Sequence, residues 1–139
     1  MKVISIKEPF ATLLMKNIKH IETRSWNTNY RGELYIHASG KTLAKEYLTN
    51  DVVNELIINM KMNYGNIICR GKLVDCIYMD GKYVNEMKKN KIEYYCGSYE
   101  VGRYAWVFED VEPIEPILAK GQLNIWNYDE STKNIIKSR

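Results

Sequence analysis

Apolar and polar side chains alternate over residues 32–39, and this period of two predicts a β-strand. One row of the strand is apolar and should face the core: Leu34, Ile36 and Ala38. The opposite row carries groups that hydrogen-bond or stack: Tyr35, His37 and Ser39. Such a row is either the wall of a polar pocket or a solvated face, and the pattern leaves both open.

Residues 17–26, which precede this strand, also read as an extended arm. Glu22, Arg24 and Trp26 project from the same face of that arm, because successive side chains of a strand point to opposite sides. The residues between the two arms, NTNYRG, are rich in turn formers. We therefore predict a β-hairpin joined at residues 27–32.

The rest of the chain predicts strands and helices in an irregular order. Further strands are expected at residues 2–6, 67–79 and 103–111, with a short strand or turn within 121–128. Helices are expected from Pro9 to a left-handed stop at Asn17, and over residues 41–60 with an interruption at Asn50-Asp51.

Two segments are less regular. After a turn at Asp80-Gly81, the polar, tyrosine-rich residues 87–102 are expected to form a loop with one short helix. Pro113 and Pro116 should confine the chain after residue 111 to a sheet edge or a turn. The total is five or six strands with two or three inserted helices, which predicts an α+β fold built on a mixed, mostly antiparallel β-barrel.

Length and composition narrow the class of protein. A chain of 139 residues fits one domain, residues 1–139. It contains no run of about 18 apolar residues, so no membrane span is expected. The first residues lack the pattern of a signal peptide, which predicts a cytoplasmic protein. Three cysteines without C-x-x-C spacing and two histidines favour neither a disulfide framework nor a metal site.

The chain is only mildly basic, with a formal net charge of +3. That is too little for a dedicated duplex-binding protein, but several cations cluster near the predicted hairpin. They are Lys16, Lys19, Arg24, Arg31 and Lys41. The 11 tyrosines and three tryptophans suit either base stacking or merely tyrosine-rich strands. Common phosphate-loop, dinucleotide, zinc-protease and serine-hydrolase motifs are absent from the sequence.

Six short motifs, in this order, resemble the ASCH (activating signal cointegrator homology) domain family of the PUA-like superfamily. They are SIKEPFA at 5–11, NIKHIETR at 17–24, WNTNYRG at 26–32, IHAS at 36–39, YAWV at 104–107 and KGQLNIW at 120–126. The chain departs from the family pattern at Asn17, where glycine is usual. Asparagine is the next best residue for a left-handed cap.

The resemblance implies a PUA-like barrel with a cleft between barrel and helices that binds RNA or a nucleotide. A few similar small bacterial proteins hydrolyse acetylated cytidine or cleave RNA. Glu22 stands where the amidohydrolase type has threonine, so hydrolysis of a modified nucleoside or RNA is the alternative function. A third possibility is a protein-interaction module that uses the fold only structurally. No cofactor is expected.

The candidate catalytic pair is Lys19, as a base, and Glu22, which would orient it. The candidate ligand-binding residues are Lys19, Glu22, Arg24, Trp26, Tyr30, Arg31, His37, Ser39 and Lys41. Each has a structural alternative. Arg24 can form a salt bridge with Glu22, Arg31 can hold a turn, and His37 can be a satisfied residue at the core edge. Ser39 and Lys41 can bind an anion at a helix start or simply cap it.

Overall fold

The computed structural model describes residues 1–45 and 49–129. Its six strands are β1 (Lys2–Lys7), β2 (Ile21–Arg24), β3 (Gly32–Ser39), β4 (Asn66–Tyr78), β5 (Tyr104–Leu118) and β6 (Ile125–Asn127). Its four helices are α1 (Phe10–Met15), α2 (Asp51–Ile57), α3 (Gly81–Met87) and α4 (Lys91–Tyr95). The strands form one sheet in the order β2-β5-β4-β3-β1-β6.

The sheet is mixed and mostly antiparallel, as predicted. Only the β1–β3 pairing is parallel among the pairs of this sheet, while β4 and β5 form a long antiparallel ribbon with several register shifts. Bulges of this kind add bend and twist to the strands. The result is a curled half-barrel with helices packed against it, an α+β fold.

The predicted hairpin of residues 17–39 is wrong, because its two arms do not pair. β2 pairs with β5, where Glu22 lies opposite Trp106, and β3 lies between β1 and β4. The connecting segment is not a tight turn. Arg31 Nη1 donates to the carbonyl oxygens of Thr28 and Tyr30, each at 2.9 Å, so the segment folds on itself and carries the chain to another part of the sheet.

The helices also differ from the prediction of two or three. α1 ends as expected, with Asn17 at a φ of 58°. The interruption expected at Asn50-Asp51 is confirmed, because the Asn50 side chain accepts from the amides of Val52 and Val53 and starts α2. Of the helix expected over 41–60, α2 is the only α-helical part among the described residues. Residues 46–48 lie outside the described part.

Residues 87–102 contain the one short helix expected there, α4, but a second helix, α3, begins at the predicted turn Asp80-Gly81. Asp80 caps α3 by accepting from the Tyr83 amide at 2.8 Å, and Asn90 caps α4 by accepting from the Glu93 amide at 3.2 Å. Asp80-Gly81 therefore starts a helix rather than simply reversing the chain. Aspartate and asparagine serve both turns and N-caps, which is why the local signal was ambiguous.

Strand β5 is longer than predicted and includes both prolines. β2 pairs only with residues Tyr104–Val107, so the rest of β5 has β4 as its hydrogen-bonded neighbour among the described strands. Pro113 and Pro116 thus lie on the one-sided part of β5, the kind of edge position to which prolines are confined in sheets. The expectation of an edge position is confirmed, although the strand continues to Leu118.

The core lies between the concave face of the sheet and helix α1. The predicted apolar row of β3, Leu34, Ile36 and Ala38, is fully buried. It packs with Trp106 and Phe108 of β5 and with the leucines of α1. Within the described residues, no helix has the length and apolar character needed to span a membrane.

Candidate functional site

A cleft of about 690 Å³ is lined by residues of β2, β1 and β3 and of the segments around them. Five of the predicted site residues line it: Glu22, Arg24, Trp26, His37 and Ser39. The other four predicted residues are not among the described residues that line it: Lys19, Tyr30, Arg31 and Lys41. Strand β2 supplies the acid and the arginine, because residues two apart share one face of a strand.

Arg24 and Glu22 form the charged centre of the cleft. The Arg24 Nη2 atom lies 3.2 Å from Glu22 Oε2 and donates to the Ser5 carbonyl oxygen at 2.6 Å. Ser5 belongs to β1, which is not a neighbour of β2 in the sheet. Arg24 therefore ties together two strands across the open side of the half-barrel, and its salt bridge with Glu22 is the one expected from their spacing.

Arg24 retains hydrogen-bonding capacity. Its Nε atom is buried and has no hydrogen-bond partner in the part of the chain that the structure describes. A guanidinium carries five donors, and buried donors are normally satisfied. Its side chain is 24% exposed, so a ligand in the cleft can reach the group.

Lys19 is fully buried beneath the cleft. Its ammonium group donates to the carbonyl oxygens of Ile21 and Cys96, the latter at 2.7 Å. It also lies 3.9 Å from Glu22 Oε1, so the predicted convergence of the two side chains occurs in the turn between α1 and β2. These contacts brace β2 against the end of α4 and leave the ammonium out of the cleft lining.

Tyr30 and Arg31 stabilise the loop before β3. The Tyr30 hydroxyl donates to the Glu33 carbonyl oxygen, and Arg31 donates to two carbonyl oxygens of its own loop. Arg31 also lies 3.8 Å from Asp75. Lys41 is exposed and follows β3 in a segment that is not an α-helix, so the predicted helix start at Ser39 and Lys41 is not formed.

His37 forms part of the cleft wall and is almost fully buried. Its Nε2 atom lies 2.7 Å from the Ala119 carbonyl oxygen, which only accepts, so Nε2 carries the proton. Nδ1 of the neutral ring therefore accepts from the Ser5 hydroxyl at 3.2 Å. Burial lowers the pKa of His37, and hydrogen bonds to the backbone of Ala119 and Gly65 oppose that shift. The ring is neutral at pH 7, as a satisfied histidine at the core edge.

The segment 119–124 forms one side of the cleft, a role that the sequence pattern did not reveal. Gly121 passes so close to His37 and Ser5 that an added Cβ would lie 2.9 Å from His37 Cε1 and 3.1 Å from Ser5 Oγ. Only glycine allows this close approach without displacing the side chains of His37 and Ser5. Gln122 and Asn124 of the same segment add amide groups to the lining. The motif KGQLNIW was the only sequence signal that pointed to this region.

Two further cations line the cleft that the sequence analysis did not select as site residues. Arg103 lies just before β5, where its Nε donates to the Ser98 carbonyl oxygen at 3.1 Å and its Nη2 to the Thr23 carbonyl oxygen at 3.4 Å. Lys7 is exposed at the end of β1. Among the described residues, the lining holds Arg24 and these two cations against the one carboxylate of Glu22. The cleft is therefore suited to an anionic ligand.

Glu93 is a buried carboxylate outside the cleft lining that sequence reasoning also missed. It accepts hydrogen bonds from the His20 amide at 2.8 Å and the Ile21 amide at 3.3 Å. It thereby anchors the start of β2 to α4. This contact holds the strand that carries Glu22 and Arg24 in place.

Cys96 lines the cleft as a buried thiol, and burial raises its pKa to about 11. All three cysteines are unpaired. Over residues 1–45 and 49–129, no group of three His, Cys, Asp or Glu side chains is placed to hold a metal ion.

A model of the ASCH domain matches residues 4–118. The chain belongs to the ASCH domain family. Its sequence is similar to Activating signal cointegrator 1 of Mus musculus, with 32% identity over 75 residues, and to the Homo sapiens protein of that name, with 31% identity. Those 75 residues are 53% of this chain but only 13% of either relative, so the likeness concerns one part of a much longer protein.

Crystal structures of an ASCH protein from Zymomonas mobilis have the same fold. The wild-type protein superposes with a TM-score of 0.57 at 18% identity, covering 98% of this chain and 93% of the other. Its Y47F variant gives a TM-score of 0.58. At that identity the likeness establishes the ASCH fold and no particular chemistry.

Proposed function

We propose that this ASCH domain binds single-stranded RNA or a nucleotide in the cleft beside β2. The observation that carries the proposal is the cleft lining itself, in which Arg24, Arg103 and Lys7 surround a space of about 690 Å³. That volume is typical of small-molecule sites, which are usually about 300–1,000 Å³. Guanidinium groups match phosphate oxygens in geometry and charge.

Trp26 supplies an aromatic surface in the same cleft. It packs edge-to-face on Trp106, with ring centroids 4.6 Å apart, and the Trp106 indole donates to the Trp26 carbonyl oxygen at 3.2 Å. These contacts hold the half-buried ring in one position. A fixed aromatic ring next to cations is the usual arrangement for stacking an unpaired base.

The contacts of Lys19 favour binding over hydrolysis. A lysine base needs a neutral amine whose lone pair faces the substrate. Two of the N–H groups of Lys19 are directed at carbonyl oxygens and its remaining side faces Glu22. We therefore assign Lys19 to the support of β2, and its neighbour Glu22 to the ligand.

Fluorescence anisotropy with a labelled single-stranded RNA tests the proposal. Arg103→Gln should weaken binding by about 1–3 kcal/mol, the range for loss of a charge-assisted contact. Arg70→Gln is the matched control, because Arg70 is an exposed arginine outside the cleft lining. With about two to four phosphates contacted, the slope of log K against log salt should lie between about −1 and −3.

Two results would overturn this proposal. One is equal loss of affinity in the Arg103 and Arg70 variants, since binding would then be a general surface effect. The other is a salt slope near zero, which would remove the phosphate contacts.

A further inference from the structure

We propose that Glu22 makes the cleft selective for guanine, by accepting hydrogen bonds from the base N1–H and N2–H groups. The inference rests on the proposed function, because it assigns the base specificity of the same cleft. It follows from the presence of one carboxylate, that of Glu22, among the described lining residues, which are otherwise rich in donors.

Glu22 has acceptor capacity that the protein does not use. A carboxylate has about four lone-pair sites on its two oxygens and no donor. Within the described chain, its partners are Arg24 Nη2 at 3.2 Å from one oxygen and Lys19 Nζ at 3.9 Å from the other. Each oxygen is therefore held by a cation and still has room for a further donor.

The two cations also fix the orientation of the carboxylate. Lys19 is fully buried and itself held by two carbonyl oxygens, while Arg24 is held by the Ser5 carbonyl oxygen. The Glu22 side chain is only 12% exposed, yet it lines the cleft. A buried acceptor of this kind favours a ligand that brings donors and penalises one that brings acceptors, because an unmatched charged group costs its desolvation energy.

A phosphate is not that ligand group, since it is itself an anion and would be repelled by Glu22. Among the four RNA bases, guanine alone presents two adjacent N–H donors on its Watson–Crick edge. Adenine and cytosine offer one amino group beside an acceptor nitrogen, and uracil offers one N–H between two carbonyl oxygens. Only guanine can therefore match both carboxylate oxygens without placing an acceptor against them.

The rest of the lining suits the remaining atoms of a guanine nucleotide. The guanine O6 atom needs a donor, and the side-chain amides of Gln122 and Asn124 stand in the same cleft. Trp26 follows Glu22 along the same face and can stack the base. Arg103, Lys7 and the remaining donors of Arg24 are available for the phosphate.

Calorimetric titration of the wild-type protein with nucleoside monophosphates tests the inference without any mutation. GMP should bind more tightly than AMP, CMP and UMP by roughly 10- to 100-fold, as expected for one bidentate contact between a side chain and a base edge. IMP is the sharpest probe, since it differs from GMP only in lacking the N2 amino group. It should bind several-fold more weakly than GMP.

The Glu22→Gln variant tests the residue. Its amide has one acceptor and one donor in place of two acceptors, so the preference for GMP over UMP should fall to within about threefold. Glu112→Gln is the matched control, because Glu112 is an exposed glutamate that also pairs with an arginine but lies outside the cleft lining, so its loss should leave the ranking of bases intact. Thermal melting of both variants checks the fold, and the comparison of GMP with IMP stands even if Glu22→Gln unfolds.

The outcomes separate this inference from the proposed function. Equal affinities for GMP, IMP and UMP in a protein that still binds RNA would overturn guanine selectivity and leave the binding function intact. A uniform loss for all four nucleotides in Glu22→Gln would also overturn it, because Glu22 would then contact the ribose hydroxyls. A protein that binds neither nucleotides nor RNA would instead refute the proposed function.

Discussion

Replacement of Lys19 by methionine tests whether this lysine is a structural brace or a base. Methionine keeps the apolar stem of the side chain and removes only the ammonium group. The buried carbonyl oxygens of Ile21 and Cys96 then lose their donor, and Glu22 loses one of its two cations. Water cannot replace the lost donor, since the side chain of Lys19 is 0% exposed.

The expected cost follows from these lost contacts. Leaving a buried polar group without its partner costs about 1–3 kcal/mol, and removing one partner of a buried ion pair costs about 3–5 kcal/mol. Because these losses share one group, we expect the free energy of unfolding to fall by about 2–5 kcal/mol in total. For a chain of 139 residues this corresponds to a drop in melting temperature of about 7–17 °C.

Differential scanning calorimetry measures the drop, with Lys16→Met as the matched control. Lys16 is an exposed lysine of the same turn, and its replacement should change the free energy of unfolding by about 0.5 kcal/mol at most. A second measurement uses N4-acetylcytidine as substrate, and neither the wild-type protein nor the variant should release acetate at a significant rate. Two results would refute the reasoning: a melting temperature of Lys19→Met within about 2 °C of wild type, or rapid deacetylation that the variant loses.

Three further predictions concern groups around the cleft. Because burial lowers the pKa of His37, the unfolded chain takes up a proton first as the pH falls below 6.5, and the free energy of unfolding should fall there by at most about 1.4 kcal/mol per pH unit. Urea titrations of His37→Gln should show a shallower dependence, and an unchanged one would count against a neutral native ring. Alkylation without reductant should modify the half-buried Cys76 first in the folded protein and all three thiols after unfolding, and only one reactive thiol in the unfolded chain would indicate a disulfide. The two slow thiols are buried, with pKa values raised to about 12 and about 11: Cys69 and Cys96. Gly121→Ala should weaken RNA binding at least threefold by displacing segment 119–124, whereas Gly81→Ala, where nothing lies within 4 Å of the added Cβ, should not; equal affinities in both would mean that the segment does not shape the cleft.

Much of the local structure could be predicted from sequence because it depends on neighbours a few residues apart. The alternation in β3 correctly placed Leu34, Ile36 and Ala38 in the core. The left-handed stop at Asn17 is confirmed by its positive φ. The pairing of Glu22 with Arg24 followed from their shared face of a strand, and the order of short motifs identified the ASCH family.

The partners of those elements were decided only by the tertiary structure. Strand β2 pairs with β5, about 80 residues later, rather than with the adjacent β3, because pairing depends on how whole faces pack and not on the turn between two arms. The same long-range packing directs Lys19 inward to the Cys96 carbonyl oxygen. It also brings Arg103 and the segment 119–124 into the same cleft lining as β2. Alternation determined which side chains share a face, but the curl of the sheet determined which faces enclose the cleft.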